Sequence, residues 1–381
     1  FSAEFQRLNR LSTQTQWTKL AAKPDSLYPL GTHNEIRCLR PRLQSEVDAQ
    51  LDTIDIQWNE LLTEALKTYQ YRNGIRSTGK LDSATRSILN LSIQDRMRIV
   101  SLNMDRLRHM PQQFPQPYIW VNVPSMELQY IDHDTTSFSM RVVVGRPSRP
   151  TTMLQASLRN IVLSPPWTVP PTIMREEILP GLAKKGAAYL QRKGLRVYDK
   201  HRNIVNASSI NAHNYTQFRV SQEPGDRSSL GEVKFNMPNP WSIYLHDTPH
   251  REDFVKFYRA YSSGCIRVHH PKEFATFLLQ DTTRYSYNKI DSICKRRKTV
   301  YIPFQRQVDV YTSYVTNALD STGHIIFLRD IYHWDEAPMV TKNKSTVKPL
   351  ADSTKVIATE TKRQEMLDSI NNDNPTDTTG Q

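Results

Sequence analysis

Tyr118-Ile119-Trp120-Val121-Asn122-Val123-Pro124 is the stretch on which the fold turns. Apolar and polar residues alternate along it and a turn residue closes it, the period of a strand with one buried face. On its N-terminal side the period is helical. Leu61, Leu62, Ala65, Leu66 and Tyr69 recur at helical spacing. Asp82 stands as an N-cap before Ser83–Leu91, and Ile93, Met97, Val100, Met104 and Leu107 mark a third helix over 92–110, ended by Pro111. Residues 1–25 read as a short amphipathic helix, and Pro24, Pro29, Gly31 and Pro41 precede Val47, Leu51, Ile54 and Ile56. On the C-terminal side strands follow at 126–131, 138–144 and 159–163, with Gly145 and Pro147 stopping the second of them. Residues 172–193 turn helical, 195–198 is strand-like, and 200–230 are polar. Strands resume at 242–245 and 300–302. A helix over 308–319 and a strand at 325–328 close the ordered part. Helices first and strands after make the fold class α+β.

The chain has 381 residues, enough for two or three domains, and 38% of them are hydrophobic. With 17 Tyr, 12 Phe and 6 Trp it can build packed cores, so wholesale disorder is excluded. The exception is 341–381: without an aromatic residue and rich in Ser, Thr and Asn, it reads as a disordered tail. No run of 18 apolar residues exists, so no transmembrane helix is expected. The N-terminus reads as that of a mature or trimmed chain. Fifty Lys and Arg against 38 Asp and Glu leave a net charge of +12, which draws anionic partners. Nucleic acid, anionic membrane and polyanionic wall polymer all fit that charge, but no nucleic-acid-binding motif accompanies it. Lys295-Arg296-Arg297-Lys298 reads as a solvated element end. The three cysteines, Cys38, Cys265 and Cys294, form no CxxC and no Cys/His ladder, so neither a structural zinc site nor a cofactor is expected. Cys38 and Cys294 are the pair that would bridge in an oxidising compartment, leaving Cys265 free.

Two segments carry chemistry: His246-Asp247-Thr248-Pro249 and, 19 residues on from His246 to Cys265, Ser262-Ser263-Gly264-Cys265-Ile266-Arg267-Val268. His246 stands at a strand end. Cys265 offers a thiolate nucleophile whose proton a nearby His takes. Gly264 lets successive N–H groups converge into an oxyanion hole. Arg267 lies two residues past Cys265 on the same side of an extended chain, placed to grip a carboxylate. Each residue alone is more often structural, Cys265 as a small hydrophobe and His246 as a hydrogen-bonder. The combination is much rarer.

These residues resemble the signature of the L,D-transpeptidases, the YkuD-type catalytic domain: a His, a spacer, then Ser/Thr-x-Gly-Cys, an apolar residue and Arg or Asn. Many members carry His before the Gly, where this chain has Ser263. That choice resembles the long, periplasmic YcbB-type subgroup. The resemblance runs from about residue 58 to 335. Leu102–Arg108, Val143–Arg146, Ser164–Pro171 and Ile243–Pro249 carry it as well. Leu61–Leu89, with Tyr69-Gln70, Gly74 and Gly79-x-Leu81-Asp82-x-x-Thr85, resembles a peptidoglycan-binding helical module. A plain helical hairpin would use the same Gly and Asp for its turns.

The resemblance implies a mostly β-sandwich catalytic domain over 96–335 with a helical capping insertion at about 168–230. It also implies an all-α peptidoglycan-binding module at 58–95, a helical scaffold at 1–57 and the tail at 336–381. Cys265 would attack the stem carbonyl next to the terminal D-Ala, with His246 as base. The Asp247 backbone carbonyl would complete the triad, and the backbone amides around Gly264 and Cys265 would hold the oxyanion. Arg267, Tyr244, Ser263 and Trp167 would meet substrate. The partners implied are donor and acceptor peptidoglycan stems, with carbapenem or penem β-lactams as covalent inhibitors. The place implied is the periplasm or cell envelope, and membrane association would run through a segment preceding Phe1. The competing readings are an L,D-carboxypeptidase, a wall Cys hydrolase and a non-catalytic wall-binding protein. Papain-like order is disfavoured, because the His residues closely following Cys265 are His269 and His270, too near in sequence to sit on a separate strand.

Overall fold

The computed structural model describes residues 1–14, 17–21, 33–304 and 306–336; the tail read over 341–381 lies outside the described residues. Contacts divide the chain into two units. Among the described residues, one comprises Phe1–Phe114, Asn122–Ser125 and those from Ser313 on; the other comprises Pro115–Val121 and Met126–Thr312.

The first unit is built on helices α1 Ser2–Gln14, α2 His33–Val47, α3 Glu60–Arg72, α4 Ser83–Leu89 and α5 Ile93–Arg108. The expected N-terminal helix thus stops at Gln14. Three of these helices start on side-chain caps, of which Asp82 was read from the sequence. Asn59 accepts from Leu62 N, Asp82 from Thr85 N, and Ser92 forms a reciprocal capping box with Asp95. Leu39, Leu43, Leu62, Leu66, Tyr69, Leu81 and Leu89 share one apolar core. Gln70, fully buried, ties α3 to the turn before α4. Its Nε2 donates to Thr78 Oγ1 (3.1 Å), Lys80 O (2.9 Å) and Thr85 Oγ1 (2.8 Å), and its Oε1 accepts from Gly79 N at 2.8 Å. That network accounts physically for the Tyr69-Gln70…Gly79…Thr85 pattern. Below it Arg96 pairs with Glu46 (2.9 Å) and donates to Tyr69 OH (2.6 Å).

The helix expected over 308–319 is absent. Its residues form a strand, Asp309–Ser313, and one arm of a hairpin, Asn317–Leu319 paired with Ile325–Phe327. Every residue of Asp309–Ser313 is buried, so the run lacks the alternation that would have marked a strand, and periodicity cannot tell such a run from a buried helix.

The second unit holds a large mixed sheet. Its strands are β1 Tyr118–Asn122, β2 Glu127–Asp132, β3 Thr135–Gly145, β4 Leu154–Ser157, β5 Asn160–Leu163, β6 Trp167–Thr168, β7 Leu195–Tyr198, β8 Ile204–Val205, β9 Arg219–Gln222, β10 Val233–Asn236, β11 Leu245–His246, β12 Ala260–Ser262, β13 Ile266–Val268, β14 Val300–Pro303 and β15 Asp309–Ser313. The hydrogen-bonded order is β14-β5-β10-β11-β13-β3-β2-β1-β15-β4, with β12 also on β3. Strand β6 and β7–β9 instead form a separate four-stranded sheet, order β6-β9-β7-β8. With α6 Pro171–Ile173, a π-helical turn Met174–Ile178, α7 Leu179–Lys185 and α8 Ala187–Arg192, they make up the insertion. The insertion therefore carries a small sheet beside its helices, of which only 195–198 was read as strand. Leu195, Val197 and Val220 are buried beside Met174, Ile178 and Leu190 in a core of its own, and short alternating strands pack on helices better than polar loop does. Helices α9 Pro271–Leu279, α10 Thr282–Tyr285 and α11 Tyr287–Lys295, unread in the sequence, cover the sheet. Phe274 of α9 stacks against Phe138 and Phe235 at 5.2 and 5.3 Å. Lys295 closes α11 and pairs with Asp291, as a solvated helix end should.

Candidate active site

The strand expected at 242–245 begins only at Leu245. Ser242 has φ 53°, a left-handed turn that delays pairing. His246 therefore lies within β11, not after it. Leu245–His246 pairs antiparallel with β10 and parallel with β13, which sets His246 beside Lys234 on one side and Arg267 on the other.

His246 is 5% exposed, and its Nδ1 lies 2.5 Å from the backbone oxygen of Asp247. A carbonyl only accepts, so Nδ1 carries the proton and Nε2 keeps a free lone pair. Burial, then Arg267 and Lys234, hold the imidazole down to about 3, against the Asp247 carbonyl, which favours the charged form. His246 is thus neutral at physiological pH. Burial in turn raises the Cys265 thiol above its ordinary value, opposed by Tyr244, Lys234 and Arg267. The resting pair is a neutral thiol and a neutral imidazole, which suits general-base transfer of the proton as the sulfur attacks.

Tyr244 joins the two segments. Its ring is 5.5 Å from that of His246, its backbone oxygen accepts from Ile266 N at 3.1 Å, and its backbone and hydroxyl favour the Cys265 thiolate against burial. Cys265 Sγ lies 3.7 Å from Ser242 O.

The Asp247 side chain turns away from the imidazole. Its Oδ2 accepts from Glu232 N (2.8 Å) and Arg251 Nη2 (3.0 Å). Gly231 makes room for it: a Cβ there would lie 2.4 Å from Asp247 Cγ. The carboxylate thereby anchors the residue whose carbonyl orients His246.

Four expectations need correction or sharpening. The Gly264 amide donates to Ser262 Oγ at 3.1 Å, so it faces the protein and not an oxyanion. Arg267 is not waiting free for a carboxylate, since Asp253 Oδ2 pairs with it at 3.3 Å. Ser263 is exposed and accepts from Arg149 Nη1 at 3.1 Å. Cys38 and Cys294 carry free thiols, as does Cys265, so the expected bridge is not formed. Buried Cys294 instead lies 3.6 Å from Glu232 O.

Other residues at the site went unread. Ser262 brackets the nucleophile loop, taking the Gly264 N–H and donating to Cys265 O at 2.5 Å. Thr151 Oγ1 accepts from Gly145 N and donates to Gly264 O, each at 2.8 Å. Ser262 stood inside the quoted motif; Thr151, more than a hundred residues away, left no signal. No cluster of metal-ligating side chains occurs among the described residues, and no described helix is long and apolar enough to cross a membrane.

The sequence profile of the L,D-transpeptidase catalytic domain, YkuD, matches residues 116–302. Residues 116–302 form an L,D-transpeptidase catalytic domain. This L,D-transpeptidase domain encloses every catalytic and substrate-contact residue named from the sequence, from Trp167 to Arg267. A Haemophilus influenzae protein provisionally named as an L,D-transpeptidase is 36% identical over 239 residues, 62% of this chain and 48% of its own length. The chain thus spans about half the length of that curated relative. Among solved structures, an L,D-transpeptidase from Stackebrandtia nassauensis aligns at 13% identity and a TM-score of 0.27, covering 78% of this chain and 97% of its own. A carbamoyl enzyme formed with avibactam aligns at 11% and 0.26, covering 53% and 51%.

Proposed function

We propose that this protein is a peptidoglycan L,D-transpeptidase that forms 3→3 cross-links through a thioester on Cys265. The observation that carries the reading is a buried His246 whose Nδ1 the Asp247 carbonyl holds, on a strand paired with the one that follows Cys265, inside an L,D-transpeptidase domain. Cys265 Sγ attacks the stem carbonyl that precedes the terminal D-Ala while His246 Nε2 takes the thiol proton. Collapse of the tetrahedral adduct breaks the amide bond, and D-Ala leaves with that proton. The side-chain amine of a second stem then attacks the thioester and expels the sulfur. Because the Gly264 amide is turned to Ser262, we assign the oxyanion to the Cys265 N–H. Tyr244, Trp167, Ser263 and Arg267 line the approach.

The same reading places residues 58–95 as a peptidoglycan-binding module, the chain in the YcbB-type subgroup, and the protein in the periplasm or cell envelope. A strained carbapenem lactam mimics the acyl donor and would acylate Cys265.

Intact-protein mass spectrometry tests this. Wild type and Cys265→Ala are incubated with a carbapenem and, separately, with a tetrapeptide-bearing muropeptide. A lactam adduct on wild type only, together with muropeptide dimer, is the expected result. Adduct with monomer trimmed to tripeptide would make the protein an L,D-carboxypeptidase. No adduct and no turnover on a reduced thiol would leave a wall-binding protein.

A further inference from the structure

Arg149 fastens the insertion to the nucleophile loop. Arg149, its side chain 11% exposed, places Nε 2.9 Å from Glu176 Oε2 and Nη1 2.9 Å from Glu177 Oε1; Nη2 also meets Glu176. The same Nη1 donates to Ser263 Oγ at 3.1 Å, two residues before Cys265. Arg146 adds a contact to Glu177 at 3.2 Å. Both glutamates sit on the π-helical turn Met174–Ile178, whose end residues Met174 and Ile178 are buried in the insertion's own core. A π turn is an uncommon device that recurs at functional sites, and here two consecutive carboxylates reach one guanidinium.

The segment carrying Arg149 is itself locked to the nucleophile loop. Arg146 N donates to Ser262 O at 3.0 Å, and Thr151 bridges Gly145 N and Gly264 O. Gly145 admits no Cβ, which would lie 2.3 Å from Arg149 O, so the turn is tight. Singly, ion pairs to half-exposed glutamates are weak; a forked guanidinium shared by two carboxylates and a hydroxyl has geometry as well as charge.

We propose that Arg149 is a positioning residue that makes docking of the insertion and the geometry of the Ser263–Cys265 loop a single equilibrium. The kinetic part of this rests on Cys265 being the nucleophile; the conformational part does not. The two are separable by measuring amide hydrogen exchange on the full-length protein alongside the rate of carbapenem acylation, for Arg149→Gln, Arg149→Lys and the double variant Glu176→Gln/Glu177→Gln. Exchange should quicken by about fivefold in both 171–185 and 260–267 for Arg149→Gln, with 140–144 unchanged. The double variant should do the same, although neither glutamate touches 260–267. Arg149→Lys, which keeps charge but loses the fork, should fall between. The limiting acylation rate should fall with exchange while half-saturation moves little. Faster exchange in 171–185 with 260–267 at the wild-type rate would overturn the proposal, as would no change in either. Should wild type fail to acylate at all, the catalytic reading falls and the exchange result still decides the coupling.

Discussion

Burial and the cations flanking it in register, Arg267 and Lys234, hold His246 neutral down to about 3. In the unfolded chain the same imidazole binds its proton near the ordinary 6.5. As pH falls from 6.5 toward 3 the unfolded state therefore holds more protons, and stability is lost over that window; above 6.5 the difference vanishes. Melting temperature measured across this range should fall less steeply for His246→Gln than for wild type, and parallel curves would contradict the depressed value. Acylation by a carbapenem should likewise show no midpoint near 6.5, since the base is already free there. Gly231 is the second residue-scale test. Its φ is +59° and a Cβ would strike Asp247, so Gly231→Ala should cost roughly 2–4 kcal/mol in denaturant unfolding and displace the carbonyl that orients His246. Retained stability together with retained acylation would show that the Asp247 side chain is not the anchor. At this scale the sequence displayed Cys265, His246 and the Asp247 carbonyl, because they are contiguous with a recognisable motif. It concealed Thr151 and Arg149, which reach the loop only across space.

Between elements, buried polar side chains hold the α3–α4 pair and the nucleophile loop: Gln70 in the first, Ser262 and Thr151 in the second. Gln70 makes four hydrogen bonds from a fully buried position, and Gln70→Leu would strand the buried Gly79 N inside the helical unit, while Thr85 Oγ1 keeps Asp82 Oδ1 at 2.8 Å. Urea unfolding should show a loss of about 2–4 kcal/mol. A smaller loss would mean that Asp82 and Thr78 carry the turn. Ser262→Ala should leave the buried Gly264 N–H without its acceptor and cost about 1–3 kcal/mol, with slower acylation, since Cys265 O loses its donor in the same stroke. Helices α3, α4 and α5 were legible because their signals are local: apolar spacing marks α3 and α5, and Asp82 caps α4 within three residues. The strand Asp309–Ser313 was not, because burial on both faces erases the period that separates strand from helix. Of the insertion's four-stranded sheet only 195–198 was read, because the other strands are two to four residues long and embedded in polar sequence.

For the whole molecule, the net charge of +12 sets the long-range behaviour. If charge drives capture by the wall, co-sedimentation of the full chain with isolated peptidoglycan sacculi should weaken by roughly tenfold between about 0.05 and 0.5 M salt, as screening shortens the reach of exposed cations. Salt-insensitive binding would place recognition in uncharged contacts instead. Composition and period by themselves determined that helices precede strands, that cores form, and that one Cys, one His and one Arg stand in a reactive pattern. Those properties reside in short windows of sequence. Only the tertiary structure decided that His246 is neutral and Asp247 faces away from it. It alone turned the Gly264 amide inward, occupied Arg267 with Asp253, and tied the insertion to the nucleophile loop through Arg149. Each of these depends on desolvation or on partners far away in the chain, and neither is written in the local order of residues.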